Sequence, residues 1–149
     1  MSHISRFPGT PLMVNPPPVG FSLRFYVADD HSVYAQVTFD QSKEGGHGIL
    51  HGGAIATVLD EAMGTASFES GNAGYTATMT YTYLAHIPLH QRITVRAWVE
   101  RVDGKKVFTR SEALLPDDTL AVKGEALFIT SDKLQKMVQS NPYIPEDEC

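Results

Sequence analysis

An aspartate in the middle of a predicted helix is the strongest candidate in this sequence for a functional residue. Residues 54–68 carry apolar side chains at helical spacing, and Asp60 lies on the opposite side, among glycine, alanine and threonine. No cation stands three or four residues from Asp60, so the helix offers its carboxylate no partner. A buried, unpaired carboxylate is costly. General-base activation of a water molecule would justify it, and a hydrogen-bonded core carboxylate is the alternative.

A glycine-rich loop, residues 44–53, leads directly into the same helix. The first N–H groups of a helix have no partner inside it, and they lie at the positive end of its dipole. Such a position favours an oxygen atom that is, or becomes, negative. Gly52 and Gly53 have no side chains to keep a ligand from the backbone. The loop therefore predicts an oxyanion site at the helix start, with a simple tight turn as the alternative.

The spacing of these two groups predicts a site that two subunits share. Gly52 and Asp60 are eight residues apart, which is about 12 Å along one helix axis. A donor and a base that act on one carbonyl must both lie within about 3–4 Å of it or of the attacking water. Two antiparallel copies of the helix meet this condition if they pack through the face of small residues, which comprises Gly53, Ala56, Thr57, Asp60, Gly64 and Ser67.

Strand patterns on both sides of this helix predict an α+β domain. The alternating segments lie at residues 21–27, 33–39, 75–83, 93–99, 107–115 and 120–129. One helix cannot cover so long a sheet, so we expect an antiparallel sheet of about six strands to curl round the helix and to meet a second copy. A single domain, 1–149, is predicted, with a proline-rich N-terminal arm at 1–19, a core at about 20–131 and a tail at 132–149 that begins with a short helix.

Composition excludes several classes of function. The net charge of −5 argues against a protein that binds a nucleic-acid backbone. Cys149 is the single cysteine, so we expect no disulfide within the chain, no cysteine zinc site and no catalytic cysteine. The same scarcity of cysteine favours a cytoplasmic location. No apolar run is long enough to cross a membrane. Two histidine pairs have a spacing of four, but one lies in a loop and a proline interrupts the other, so we expect neither a metal nor a cofactor.

The loop and the helix together resemble the HGG…D signature of hotdog-fold acyl-CoA thioesterases of the PaaI-like and thioesterase-superfamily-member types. Residues 48–64 read GxxHGGAxATxxDEAxG, and the order of strands and helix over roughly residues 20–131 is similar to that family as well. The resemblance implies a hotdog fold, a homodimer or a dimer of dimers, and hydrolysis of a coenzyme A thioester to the free acid and coenzyme A.

The resemblance also implies roles for four catalytic residues. Gly52 is expected to polarise the thioester carbonyl through its N–H, and His51 to set the turn before it. Asp60 resembles the carboxylate that activates water or attacks the carbonyl directly. Thr76 stands where the family places a hydroxyl that helps to position the water.

Five further residues are expected to contact the substrate. Lys105 and Lys106 match a basic pair that contacts coenzyme A, and Thr82 falls where a strand residue meets the substrate. Gly53 offers its backbone beside Gly52. His47 is a nearby polar group that could stand in for an asparagine found in some relatives.

Two departures from the family pattern keep other functions open. Gly45 stands where some relatives carry that asparagine, and Leu84 stands where others have a lysine. Hotdog hydratases resemble this pattern but carry a histidine five residues after the aspartate, where this chain has Thr65. The alternatives to a thioesterase are therefore a non-catalytic acyl-CoA-binding domain and, less favoured, a dehydratase of the same fold.

Overall fold

The computed structural model describes residues 2–7 and 9–139, with the side chains of 138 and 139 left out. Residues 140–149 of the expected tail, including Cys149, lie outside this range. In the range that is described, no helix combines the length and the apolar character that crossing a membrane requires.

Seven strands and three helices make up the described chain. In order they are β1 (His3–Ile4), α1 (Pro11–Val14), β2 (Tyr26–Val27), β3 (Val33–Thr38), α2 (Gly52–Glu69), β4 (Gly74–Tyr83), β5 (Arg92–Asp103), β6 (Lys106–Leu114), β7 (Leu120–Thr130) and α3 (Asp132–Gln139), with a 3₁₀ turn at Gln41–Lys43 before α2.

One antiparallel sheet curls round helix α2. Its strand order is β1-β2-β3-β5-β6-β7-β4, and α2 contacts the five strands from β3 to β7. The apolar stripe of α2 is buried in this concave face through Ile55, Val58, Leu59, Ala62 and Met63. The expected α+β architecture, a curled sheet round one helix, is thus confirmed. The sheet has one strand more than expected because residues 3–4 pair with β2.

The N-terminal segment packs against the domain instead of extending from it as a free arm. Strand β1 pairs with β2, and Met13 on α1 is 1% exposed. The segment 21–25 has the alternating burial expected of a strand, but its N–H groups bond to the carbonyls of α1 and the residue after it. Phe21 donates to Leu12 and Leu23 to Met13. The described part of the proline-rich arm is therefore packed on the domain, where α1 supplies apolar contacts and backbone acceptors.

A bulge in β4 decides which side chains face α2. Thr76 pairs with Phe128 and Thr78 pairs with Leu127, so Ala77 is an extra residue in the ladder. Strict alternation would place Thr76 on the face opposite Tyr81 and Tyr83. The extra residue reverses this parity, and all three side chains reach α2.

A hairpin turn at Asp103-Gly104, a dipeptide typical of such turns, joins β5 to β6, where Asp103 pairs with Lys106 and Gly104 adopts a left-handed φ of +59°. The carbonyl of Lys105 accepts from the N–H of Thr130, and Thr130 pairs with Gly74. The hairpin therefore lies at the end of the sheet where β4 begins, the end that also holds Thr76.

Candidate active site

His51 caps the N-terminus of α2 and thereby selects which N–H group stays free. Its Nδ1 accepts from the Gly53 N–H at 2.9 Å, which leaves the ring proton on Nε2. Within the described chain the Gly52 N–H has no hydrogen-bond partner. Gly52, and not Gly53, therefore presents a free donor at the positive end of the helix dipole.

A cavity of about 480 Å³ opens beside Gly52. The Tyr83 hydroxyl donates to the Gly52 carbonyl at 2.7 Å and fixes strand β4 against the helix start. A Cβ added at Gly52 would lie 3.6 Å from the Tyr83 ring, which is ordinary contact, so an alanine fits here without displacing the ring. The remaining walls are apolar except for His86, and their apolar residues are Ile49, Leu50, Ile55, Leu84, Ala85, Ile87 and Val122.

Asp60 is held by a single hydroxyl group. Thr76 Oγ1 donates to Asp60 Oδ1 at 2.8 Å across the groove between β4 and α2. Burial raises the pKa of the Asp60 carboxyl, and the hydrogen bond from Thr76 opposes part of that rise. No cation forms an ion pair with Asp60 among residues 2–7 and 9–139. The group is thus a carboxylate with increased basicity and room to accept a further hydrogen bond.

Asp60 and Gly52 do not meet within one chain. Asp60 and Thr76 line a second cavity, of about 320 Å³, whose lining does not include Gly52. Both residues belong to α2, eight positions apart, so the rigid helix keeps them about 12 Å from each other.

Glu61 is a second buried carboxyl that the sequence pattern did not single out. Burial raises its pKa from 4.5 to about 7, and the neighbouring Asp60 charge adds to the rise. The nearby Thr10 opposes part of this rise, and the Oε1 atom has no hydrogen-bond partner within the described residues. The local sequence gives no signal for its burial, because the segment that covers it lies some fifty residues earlier in the chain.

This raised pKa predicts that the protein loses stability as the pH rises. The folded state holds the Glu61 proton more tightly than the unfolded chain, so the contribution to stability is full below about pH 4.5 and lost as the pH rises through about 7. The full change corresponds to about 3 kcal/mol of unfolding free energy. We expect Glu61→Gln to flatten this dependence in urea unfolding at pH 5 and pH 8. If the unfolding free energy of Glu61→Gln changes with pH as much as that of the exposed control Glu125→Gln, Glu61 is not the group responsible for the pH dependence.

The other residues expected at the site are distributed around these two cavities. The Gly53 N–H is already bonded to His51. The His47 side chain is fully exposed and lies 3.5 Å from Glu44. Thr82 is exposed on the sheet face opposite Tyr83. Lys105 and Lys106 are exposed at the hairpin beside the start of β4.

The close packing of the loop against His51 requires a glycine at residue 45. A Cβ at this position would lie 2.8 Å from the His51 Cα, so the loop folds back on the cap residue too closely for a larger side chain. No asparagine amide can therefore act from this position. Across the described ranges, no group of three or more histidine, cysteine or acidic side chains is arranged to hold a metal ion.

Tyr81 and Tyr83 are positioning residues that the sequence analysis did not place. The Tyr81 hydroxyl donates to the Ala56 carbonyl at 3.0 Å, so two tyrosines dock β4 onto the first turns of α2. A Cβ at Gly124 would lie 2.7 Å from the Tyr81 ring, so the glycine in β7 makes room for it. Burial raises the pKa of Tyr81, which keeps the hydroxyl a donor.

Comparison with known proteins identifies similar chains. The family model for the thioesterase superfamily matches residues 47–122, which include the cap, α2, β4 and Thr76. The chain is similar to the acyl-coenzyme A thioesterase THEM4 of Mus musculus, with 37% identity over 90 residues, 60% of this chain and 39% of that protein. The chain thus spans about two fifths of the length of the curated relatives it matches.

Solved structures share the fold. A crystal structure of a thioesterase superfamily protein matches with a TM-score of 0.70 and 32% identity, over 71% of this chain and 52% of that one. A hypothetical thioesterase protein from Streptococcus pneumoniae TIGR4, solved with coenzyme A, matches with a TM-score of 0.65 and 17% identity, over 67% of this chain and 81% of that one.

Proposed function

The chain belongs to the thioesterase superfamily, and from this premise we propose that it hydrolyses the thioester of an acyl-coenzyme A to the free acid and coenzyme A. The observation that carries the proposal is the half-buried Asp60 carboxylate, bonded to Thr76 and unpaired with any cation in the described chain. The similar mouse protein is named an acyl-coenzyme A thioesterase, and the similar streptococcal protein was solved with coenzyme A, which both support this substrate class.

The reaction divides between a base and a donor. Asp60 takes a proton from a water molecule while that water attacks the thioester carbon, and the raised pKa of Asp60 makes it a stronger base. Charge develops on the carbonyl oxygen, where the free Gly52 N–H donates to it. Collapse of the tetrahedral intermediate expels the coenzyme A thiolate, a good leaving group because a thiol has a pKa of about 8.5. No cofactor takes part.

We propose that two copies of the chain form each site. Within one chain Gly52 and Asp60 line different cavities. Strand β4 is the long edge strand of the sheet, opposite the short edge strand β1, and it exposes Tyr75, Met79 and Tyr83 along its ten residues. A long apolar edge is a template for pairing with another strand. Antiparallel pairing of β4 with its copy runs the two α2 helices in opposite directions, which brings Gly52 of each chain towards Asp60 of the other.

This arrangement gives the basic hairpin a role in binding. Lys105 and Lys106 lie at the end of β4 that holds Thr76, and an antiparallel copy places its own Gly52 and Thr82 at that end. Coenzyme A carries phosphate groups, which lysine binds as a point charge. We therefore assign coenzyme A contact to the two lysines, Thr82 and the exposed His47. We also propose a cytoplasmic location, which the single cysteine favours, and a homodimer or a dimer of dimers, which the family resemblance implies.

A panel of acyl-CoA esters with a thiol-reactive dye tests the activity directly. Release of free coenzyme A thiol supports a hydrolase. Binding of acyl-CoA without thiol release would instead identify a binding domain. Interconversion of enoyl-CoA and 3-hydroxyacyl-CoA without thiol release would identify a dehydratase.

The Thr76 hydrogen bond predicts a shift in the pH profile. Thr76→Val removes the bond that lowers the Asp60 pKa, so Asp60 becomes protonated at a higher pH. We expect the acid limb of kcat/KM to move to higher pH in this variant. Thr76→Ser keeps a hydroxyl and is expected to keep the limb near its original position. If the limbs of both variants coincide with the wild type, Thr76 does not act on the titration of Asp60.

A further inference from the structure

The N-terminal strap, defined as residues 5–7 and 9–10, forms one wall of the cavity that holds Asp60. Phe7, Gly9 and Thr10 line this cavity of about 320 Å³ together with Asp60 and Glu61. The family model begins only at residue 47, so the strap lies outside the matched region. A segment far from the catalytic carboxylate in sequence is therefore part of its immediate surroundings.

The strap is anchored to Glu69 of α2 by hydrogen bonds and passes beside Glu61 of the same helix. The Ser5 hydroxyl and the Arg6 N–H both donate to Glu69 Oε1, at 2.5 and 2.9 Å. Thr10 lies beside Glu61, eight residues earlier on the helix, and the two residues line the same cavity. Between these two points the Phe7 ring packs against Phe68, with ring centroids 5.7 Å apart. The strap thus crosses the helix along about 12 Å of its length.

Beyond the acidic groups and Thr76, much of the cavity wall is apolar, and Gly64 contributes no side chain to it. Phe68, Phe128 and Leu134 supply apolar surface, and a Cβ added at Gly64 would lie 3.6 Å from the Phe128 ring. A chamber of this kind beside the base suits the acyl part of a thioester, because the coenzyme A part is polar and charged. Its volume corresponds to on the order of ten heavy atoms, at the roughly 30 Å³ that one water molecule occupies in the liquid.

We propose that the N-terminal strap is the end wall of the acyl-binding cavity and limits the substrates to acyl groups of short to medium size, with Phe7 as the specificity-determining residue. This inference rests on the proposed function. Phe7 closes the cavity from the strap side, and Gly64 keeps it open from the helix side.

Opposite changes in cavity size test the proposal. In Phe7→Ala we expect kcat/KM to rise by about tenfold for acyl chains just beyond the wild-type limit, since one methylene in an apolar pocket changes discrimination by about 10–200-fold. In Gly64→Ala we expect a loss of about tenfold for the longest accepted chains and little change for acetyl-CoA. Alanine favours the helix over glycine, so this variant folds. The series runs from acetyl-CoA to hexadecanoyl-CoA, with Tyr26→Ala, an exposed aromatic residue outside this cavity, as the control.

A second variant covers the case in which Phe7→Ala does not fold. Ser5→Ala removes one bond to Glu69 without opening the core, and it is expected to shift the profile in the same direction as Phe7→Ala. Unchanged chain-length profiles in the strap variants and in Gly64→Ala, or an equal loss for every chain length, would overturn the proposal.

Binding of non-hydrolysable S-alkyl-coenzyme A thioethers separates this inference from the proposed function. If the thioethers show the same shifts in chain-length preference while the wild type hydrolyses no acyl-CoA, the proposed activity fails and the cavity assignment stands. If the wild type hydrolyses acyl-CoA and the strap and Gly64 variants leave both profiles unchanged, the strap is not the end wall.

Discussion

We expect Asp60→Asn to lower kcat/KM for acyl-CoA hydrolysis by about 10²–10⁴-fold, the usual effect of losing a general base. Asparagine has the shape of aspartate and can still accept from Thr76, but it cannot take a proton from water. The substitution also removes a carboxyl group whose pKa is raised by burial, which means that its charged form is destabilised in the folded state. We therefore expect the variant to be at least as resistant to denaturant as the wild type. Steady-state kinetics with a thiol-reactive dye and urea unfolding measure the two effects.

The control for this experiment is Glu125→Gln, which makes the same change of charge on the exposed face of β7. Its turnover is expected to match the wild type. Hydrolysis by Asp60→Asn within a factor of ten of the wild type would exclude Asp60 as the base.

The shared site predicts that two inactive variants restore activity when mixed. Gly52→Ala places a methyl group beside the free N–H without displacing Tyr83, and we expect a loss of up to about 10²–10³-fold, as for a lost oxyanion donor. In a mixed dimer of Gly52→Ala and Asp60→Asn, one site combines the intact Gly52 of one chain with the intact Asp60 of the other. The second site carries both defects. Each mixed dimer should therefore recover up to about half of the wild-type turnover.

Differently tagged subunits, refolded together and purified through both tags, give dimers of known composition for this measurement. The double variant mixed with wild type is the matched comparison, because there each site keeps one defect. Verified mixed dimers of the two single variants that stay as inactive as their parents would place base and donor in the same chain and contradict the proposed sharing.

The helix and the site residues on it were accessible from the sequence because their signals are local. The apolar stripe, the glycine-rich entry and the cap depend on residues within a few positions of one another. The structure has α2 at Gly52–Glu69 with His51 as its cap, close to the expected helix. The separation of Gly52 and Asp60 follows from the helical rise alone, so the prediction of a two-chain site needed no tertiary structure.

The alternating pattern of β4 could not predict which face of the sheet carries the Thr76 side chain. Alternation along β4 predicts threonines on one face and tyrosines on the other, and the bulge at Ala77 breaks that rule. A bulge is decided by how a strand pairs with its neighbour, here β7, which lies some fifty residues later. The hydrogen bond from Thr76 to Asp60 therefore depends on a contact that the local sequence does not encode.

Backbone geometry and near neighbours were enough to predict the helix and the spacing of the proposed base and donor along it. The environment of those groups depends on contacts between distant segments and became visible only in the folded chain. The strap over α2, the burial of Glu61 and the docking of Tyr81 and Tyr83 join residues 25 to 64 positions apart. Burial and pKa depend on what packs against a side chain, and packing between distant segments is set by the fold as a whole.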